Sequence, residues 1–190
     1  MKKLGIALLL ALPLLSGCIP VVFVAGAAAG GAVIYDNRSA ETILQDNSLA
    51  YKAQGQINSD PTLHQQTHIA VTAFNHIVLL VGQAPTADLR QQAYDLVTNL
   101  RNVKRIYNQI TVETPTSISR RSEDTWITTK VKTKLLAEKG LHSSQIKVLT
   151  ENGTVYLMGL VTRSQGSLAA LVTSKVSGVQ KVVTLFEYQS

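Results

Sequence analysis

The chain has 190 residues, and its 18 lysines and arginines outnumber its 12 aspartates and glutamates, which gives a formal net charge of +6 at pH 7. Its one cysteine, Cys18, excludes an internal disulfide. The positive balance favours an anionic partner such as a membrane surface. We expect no nucleic-acid partner, because the sequence contains no recognisable nucleic-acid-binding module.

The first residues are typical of a secretory signal peptide. Lys2 and Lys3 precede an apolar run over residues 4–15, and small residues follow before Cys18. The sequence Leu-Leu-Ser-Gly-Cys over residues 14–18 resembles the bacterial lipobox, in which the cysteine is acylated and the chain is cut just before it. We therefore predict a signal peptide over residues 1–17 and a fatty-acid (palmitate) anchor on Cys18. Acylation also accounts for an unpaired cysteine in an exported protein.

An uncleaved membrane anchor is the alternative, because apolar character resumes at residue 21 and continues to about residue 35. However, Pro13, Gly17 and Pro20 interrupt the apolar stretch, and the part after the cysteine is shorter than the about 20 residues that a spanning helix needs. We predict that residues 18–44 form an acylated N-terminus and a tether rich in glycine and alanine.

An internal repeat defines the remaining organisation. The sequence over residues 69–82 aligns with that over residues 146–159, and both segments end in glycine. A repeat of this kind indicates two copies of one structural unit. We predict the first unit at residues 45–113, a linker at residues 114–121 and the second unit at residues 122–190.

The first element of each unit is an amphipathic helix. In the second unit Ile127, Val131 and Leu135 recur at every fourth residue, and Ser122 or Asp124 is the expected cap. The corresponding helix of the first unit is predicted over residues 47–57.

Two strands joined by a tight turn follow this helix. Apolar and polar residues alternate after residue 146, and Asn-Gly at residues 152–153 is a strong hairpin signal. Asn-His at residues 75–76 holds the corresponding turn of the first unit, where asparagine tolerates the left-handed conformation.

A second helix and a last strand complete the unit. The helix is predicted over residues 164–176, with Thr162 and Gln165 as a capping box and Gly178 just past its end. The strand is predicted over residues 181–188, which are rich in branched and aromatic side chains. Each unit is therefore an α+β domain of helix-strand-strand-helix-strand order, with two helices on one face of a three-stranded sheet.

This order, with Gly82 and Gly159 ending the second strand of each unit, resembles the BON domain family. Residues 124–131 and 150–162 resemble the second domain of outer-membrane lipoproteins that carry two BON repeats. The resemblance implies a non-enzymatic protein that supports outer-membrane integrity, gathers at the division site and binds anionic phospholipid through its second repeat. Ile19, rather than aspartate, after the lipobox cysteine implies export to the outer membrane, where the protein faces the periplasm.

Trp126 is the most informative candidate for membrane contact. At about 100° per residue it lies about 140° from the centre of the apolar helix face, beside Lys130. A tryptophan facing away from its own core can cover the neighbouring repeat, contact a partner, remain solvated or lie at a membrane interface. The lysines on this helix favour the membrane. The candidate phospholipid-binding residues are Trp126, Ile127, Thr129, Lys130, Thr133, Lys134 and Ala137.

Catalytic and metal-binding groups are not expected. His64 and His68 are four residues apart, but they lack the glutamate of the HExxH motif, and the repeat alignment places them in a loop and a strand start. We predict no catalytic residue, metal, cofactor or small-molecule substrate. For Gly82 and Gly159 we favour a structural role. The alternative to lipid binding is an adapter that links the outer membrane to another envelope protein through the face of Trp126.

Overall fold

The computed structural model of the chain describes residue 36 and residues 38–189, which belong to one compact unit, Ile34–Ser190. The predicted signal peptide, the predicted lipidation site Cys18 and most of the predicted tether lie outside the described residues. None of the described helices combines the length and the apolar character needed to cross a membrane.

Two copies of the predicted element order make up the described chain, which confirms the α+β class. A short helix, α2, and a 3-10 turn are additions to the predicted order. Repeat one contains α1 (Ala40–Ser59), α2 (Pro61–Gln66), β1 (His68–Phe74), β2 (Ile77–Ala84), α3 (Ala87–Thr98) and β3 (Arg105–Val112). Repeat two contains α4 (Ile118–Ala137), the 3-10 turn (Ser143–Gln145), β4 (Ile146–Glu151), β5 (Thr154–Val161), α5 (Arg163–Ser174) and β6 (Lys181–Tyr188).

The first helix of repeat two begins earlier than predicted. Ser117 caps α4 by accepting a hydrogen bond from the backbone N–H of Arg120, so the expectation that Ser122 or Asp124 is the cap is wrong. The first turn of α4 extends into the predicted linker and exposes Ile118, and therefore contributes no buried residue to the apolar repeat.

Repeat one differs from its prediction in the same way. Its first helix begins at Ala40, where Ser39 is the cap, rather than near residue 47. His64, which was predicted to lie in a loop, lies in α2. This short helix begins where the Asp60 side chain accepts hydrogen bonds from two backbone N–H groups and where Pro61 has no N–H to satisfy.

The capping box predicted for the last helix is confirmed. The Thr162 hydroxyl accepts a hydrogen bond from the Gln165 backbone N–H, and the Gln165 side chain accepts one from the Thr162 N–H. The helix begins one residue earlier and ends two residues sooner than predicted, at Ser174, and the last strand occupies the predicted residues 181–188.

Both sheets have the same topology. The second strand is central, with the first strand antiparallel and the third strand parallel to it. Every residue of β2 is buried, because this strand is covered on both faces. Val78 and Leu80 face the helices of repeat one, whereas Ile77 and Leu79 face the other way.

The two repeats pack sheet against sheet. Leu79 and Val81 of β2 share one buried cluster with Tyr156 and Met158 of β5, while each pair of helices covers the outer face of its own sheet. Hydrogen bonds reinforce the contact, and Gln83 donates one to Glu151 at 2.8 Å. The order of layers is therefore helices, sheet, sheet, helices, with both sheets inside.

Gly82 and Gly159 stand where β1 and the 3-10 turn approach the central strands. A Cβ on Gly82, whose φ is +124°, would lie 1.9 Å from the carbonyl oxygen of His68. A Cβ on Gly159 would lie 2.5 Å from the carbonyl oxygen of Gln145. No side chain fits at such distances, so both glycines have the predicted structural role.

Candidate functional site

α4 has two sharply different faces. Ile127, Val131 and Leu135 are at most 4% exposed and form the core of repeat two, as predicted. Trp126 is 63% exposed and therefore covers neither its own core nor the other repeat. The predicted opposition of these two faces is confirmed.

Ile127 does not belong with the other candidate lipid-contacting residues. Its side chain is 4% exposed and lies in the core, 3.0 Å from the position that a Cβ on Gly178 would occupy. It can support the exposed face from behind but cannot reach a lipid without opening the domain.

The hydroxyl groups on the exposed face bond to the helix itself. Thr129 donates to the carbonyl of Thr125 at 3.1 Å, and Thr133 donates to the carbonyl of Thr129 at 2.9 Å. Thr125 and Ser122 form the same kind of bond one turn back. These hydroxyl groups keep a hydrogen bond when water leaves, so removing this face from water costs less than for free hydroxyls.

The lysines of α4 differ in their exposure and in their contacts. Lys134 is exposed, as are Lys132 and the small side chain of Ala137. Lys130 is half-buried, and its Nζ donates a hydrogen bond to the carbonyl oxygen of Ser177, just after α5. Its charge therefore remains at the surface in a fixed position.

Two exposed apolar residues of this surface were not among the predicted lipid-contacting residues. Ile118 is 77% exposed and Leu136 is 74% exposed. At 100° per residue both lie about 80° from Trp126, on the same side of the helix. Ile118 was hidden in the predicted linker, and Leu136 follows directly after the core residue Leu135. A helical wheel drawn over the full length of α4 identifies both.

Repeat one provides a natural comparison. Ser48 of α1 occupies the position of Trp126, and Lys52 occupies that of Lys130. This helix also exposes apolar side chains, since Leu44 is 69% and Tyr51 is 81% exposed. What distinguishes α4 is the tryptophan together with a cluster of lysines.

Each hairpin turn is held by an aspartate from the first helix. Asp124 accepts hydrogen bonds from the N–H groups of Asn152 at 2.7 Å and Gly153 at 2.8 Å. Asp46 makes the corresponding two bonds to the turn of repeat one. These buried carboxylates therefore hold α4 and α1 in register with their sheets.

The histidines do not form a metal centre with acidic groups. In the part of the chain that the structure describes, no three side chains of histidine, cysteine, aspartate or glutamate lie close enough to hold an ion together. His68 instead lies at the contact between the repeats, with its Nε2 3.7 Å from Oε2 of Glu151.

Comparison with known proteins matches the BON domain to residues 45–114 and 123–190. The chain is 36% identical over 188 residues to the outer membrane lipoprotein DolP of Haemophilus influenzae, an alignment that covers 99% of this chain and 96% of the relative. It is 38% identical over 153 residues to the 21 kDa hemolysin of Actinobacillus pleuropneumoniae, covering 80% of this chain and 79% of the relative. The osmotically-inducible protein Y of Escherichia coli is 25% identical over 142 residues, covering 73% and 70%.

Proposed function

Because the chain belongs to the BON domain family and is an outer-membrane lipoprotein that faces the periplasm, we propose that it is a non-enzymatic protein that binds anionic phospholipid through α4. The observation that supports this most is the 63% exposure of Trp126 on a face whose hydroxyl groups are satisfied within the helix. An amphipathic ring of this kind is favoured at a membrane interface.

The charges around Trp126 fit an anionic surface. Lys132 and Lys134 lie on either side of the tryptophan, and each basic residue near an anionic membrane contributes about 1 kcal/mol to binding. Leu136 and Ile118 extend the apolar contact along the helix. We propose Trp126, Thr129, Lys130, Thr133, Lys134 and Ala137 as contact residues, with Ile118 and Leu136 added and Ile127 as their support from the core.

The anchor is a second part of the proposal. A lipid chain on Cys18 keeps the protein at the membrane, so that α4 needs only weak affinity to remain bound. Cys18→Ala is expected to abolish incorporation of a labelled fatty acid and to leave the precursor unprocessed or mislocalised. Label retained by this variant would place the anchor elsewhere.

Emission from Trp126, which is the only tryptophan, tests the proposal in the acylated mature protein. Reconstituted in vesicles, the protein should emit at shorter wavelength when the vesicles contain anionic phospholipid than when they contain neutral lipid only. Added salt should reduce the difference, because the attraction is screened. Leu136→Glu and Lys134→Glu should both diminish the shift.

The alternative is an adapter that binds another envelope protein with the same face. Emission that is unchanged in every lipid mixture, together with cross-links from this face to a protein, would favour the adapter. For the cellular role we propose support of outer-membrane integrity at the division site. Loss of Trp126 should then increase sensitivity of the cells to detergent and disperse the protein from the septum.

A further inference from the structure

The outer strands of the two sheets differ in how well their free backbone groups are protected, and β1 is the best protected. Gln54 of α1 donates a hydrogen bond to the carbonyl oxygen of Ile69 and accepts one from the N–H of Val71, both at 3.0 Å. Lys147 donates one to the carbonyl oxygen of Ala73. These are backbone groups that point away from β2, so another chain cannot pair with β1 without displacing the side chains.

β3 and β4 are also partly closed to another chain. On β3, the side chain of Asn108 accepts a hydrogen bond from the N–H of Ile110 at 3.2 Å. On β4, the residues whose backbone groups point away from β5 are Ile146, Val148 and Thr150, and each is at most 7% exposed. The free row of groups on β3 is therefore interrupted, and that on β4 is buried.

β6 has an open edge. It lies outermost in the sheet of repeat two, and the N–H of Gln189 just after it donates to the carbonyl oxygen of Val161 in β5. Because the direction of the backbone groups alternates along a strand, those of Val182, Thr184 and Phe186 point away from β5. Within the described residues these N–H and C=O groups have no hydrogen-bond partner. Thr184 is exposed, and the other two residues are half-buried.

We propose that β6 pairs with β6 of a second copy of this chain, in the antiparallel direction and centred on Thr184. In this register Val182 of each copy lies opposite Phe186 of the other, and the outward backbone groups of these pairs exchange hydrogen bonds. Lys181 of each copy then lies opposite Glu187 of the other, and Lys181 has no ion pair within the described residues. The edge is therefore complementary to itself in hydrogen bonding and in charge.

This pairing suits two copies that are anchored in one membrane. Val182 and Phe186 pack against the helix side of their sheet. Directly opposite residues of an antiparallel pair lie on the same face of the sheet, so the helices of repeat two from both copies lie on one side. With α4 resting on lipid, both copies face the same membrane; this step alone rests on the proposed function.

The membrane anchor makes a small contact of this kind sufficient. Stable interfaces bury about 1,200 Å² or more, and a single pair of strands is a smaller contact. Two copies confined to one membrane have a higher effective concentration than two copies in solution. We therefore expect dimers of the acylated protein in membranes, and monomers of the mature chain carrying Cys18→Ala in dilute solution.

Oxidation of a Thr184→Cys variant in the membrane tests the pairing. With Cys18 acylated, the introduced thiol is the one available for a disulfide. The Cα atoms of a hydrogen-bonded antiparallel pair are about 5.5 Å apart, which a disulfide can span. The acylated variant in vesicles of phosphatidylethanolamine and phosphatidylglycerol should give a disulfide-linked dimer on mild oxidation. Ser48→Cys, exposed on α1, is the control and should stay monomeric.

Reversal of the two charges tests the register in the Thr184→Cys chain. Lys181→Glu should reduce the cross-linked fraction about fivefold, because it places like charges opposite each other at both ends of the pairing. Glu187→Lys should have a similar effect. The two changes together should restore cross-linking, because opposite charges again face each other between the copies. Within one copy these residues are about 20 Å apart along the strand, so the recovery cannot arise inside one chain.

Trp126→Glu separates this proposal from the proposed function. It removes the proposed lipid contact but keeps the anchor, so Thr184→Cys should cross-link as before, and melting curves check that each variant is folded. Monomers throughout, equal cross-linking of Ser48→Cys, or a double charge variant no better than the single ones would overturn the dimer. A cross-link from Thr184→Cys to a different protein, without any dimer, would also overturn it and would show that β6 adds a strand of that protein.

Discussion

Trp126 and Ser48 occupy the same position in the two repeats, yet only one of them has the side chain of an interfacial residue. Both positions follow a buried aspartate by two residues and precede the first core residue of the helix. The fold therefore places little constraint on which side chain occupies this exposed position. This makes the pair a matched test of whether a membrane contact depends on the side chain or only on the fold.

Trp126→Glu should abolish vesicle binding without unfolding the domain, because the exposed ring contributes little to the core while a carboxylate is repelled by anionic lipid. Ser48→Glu should leave binding unchanged. Co-sedimentation of the mature chain carrying Cys18→Ala with anionic vesicles measures both. Lost binding in both variants, or a melted fold in the first, would contradict the assignment.

The two glycines at positions 82 and 55 should respond in opposite directions to alanine. Gly82→Ala places a Cβ 1.9 Å from the carbonyl oxygen of His68 at a positive φ, and should destabilise the protein by about 3 kcal/mol or more. Gly55 lies within α1 with no atom near its missing Cβ, so Gly55→Ala should stabilise by about 0.5–1 kcal/mol. Thermal melts measure both variants, and an unchanged or raised Tm for Gly82→Ala would show that the strand pairing around Gly82 is wrong.

At the scale of elements, the helix and strand order was predictable because buried residues repeat with the period of each element. The spacing of Ile127, Val131 and Leu135 predicted one helix, and the Asn-Gly turn predicted a hairpin. The first turn of α4 was not predictable in this way, since it buries nothing. The same limit affected the candidate lipid-contacting residues. Ile118 and Leu136 were not identified because they lie outside the regular spacing of the core residues, whereas Ile127 was included although it is one of those core residues.

The role of Asp124 could not be inferred from the spacing of residues along the helix. It was expected to cap the helix, but its carboxylate holds the turn between β4 and β5. Asp46 has the same role in repeat one, and the partner of each carboxylate depends on contacts distant in sequence. The same applies to Arg121 and His68, which come together only when the repeats pack.

Asp124→Asn should destabilise repeat two by about 1–3 kcal/mol, because the amide has one acceptor oxygen where the carboxylate has two. One of the two turn N–H groups then loses its acceptor in a buried place. Glu123→Gln, on the exposed neighbour, is the control and should change the free energy of unfolding by less than about 0.5 kcal/mol. Urea unfolding measures both, and equal effects would show that the turn contacts contribute nothing specific.

At the scale of the whole molecule, the contact between the repeats was not readable from the sequence. Apolar and polar residues do not alternate along β2 and β5, because both faces of these strands are buried and both carry apolar residues. The sequence therefore does not show which face of each strand contacts the other repeat. Specific hydrogen bonds also join the two repeats. Lys147 of β4 donates a hydrogen bond to the carbonyl oxygen of Ala73 in β1 at 2.8 Å.

Lys147 should make the stability of the protein depend on pH. Burial, and then the charge of Arg38, lowers its pKa from the usual 10.5 to about 8. Between these values the unfolded chain binds more protons than the folded one, so the contribution of Lys147 to stability rises with pH through this window. The slope is at most about 1.4 kcal/mol per pH unit.

Lys147→Met should remove this dependence. The free energy of unfolding of the parent protein, minus that of the variant, should increase between pH 7.5 and pH 9.5 in urea titrations. Lys139→Met changes an exposed lysine and should show no such trend. Parallel profiles for the parent protein and Lys147→Met would mean that Lys147 has an ordinary pKa.

The packing of sheet against sheet also fixes the distance between the helices of repeat one and those of repeat two. With α4 resting on the lipid, the helices of repeat one lie on the far side of two sheets, and each step between layers is about 10 Å. Leu44 and Tyr51 would then lie about 30 Å above the headgroups, on a spacer of two sheets that share one buried cluster. Such a spacer would present apolar side chains to a periplasmic partner at one height above the membrane.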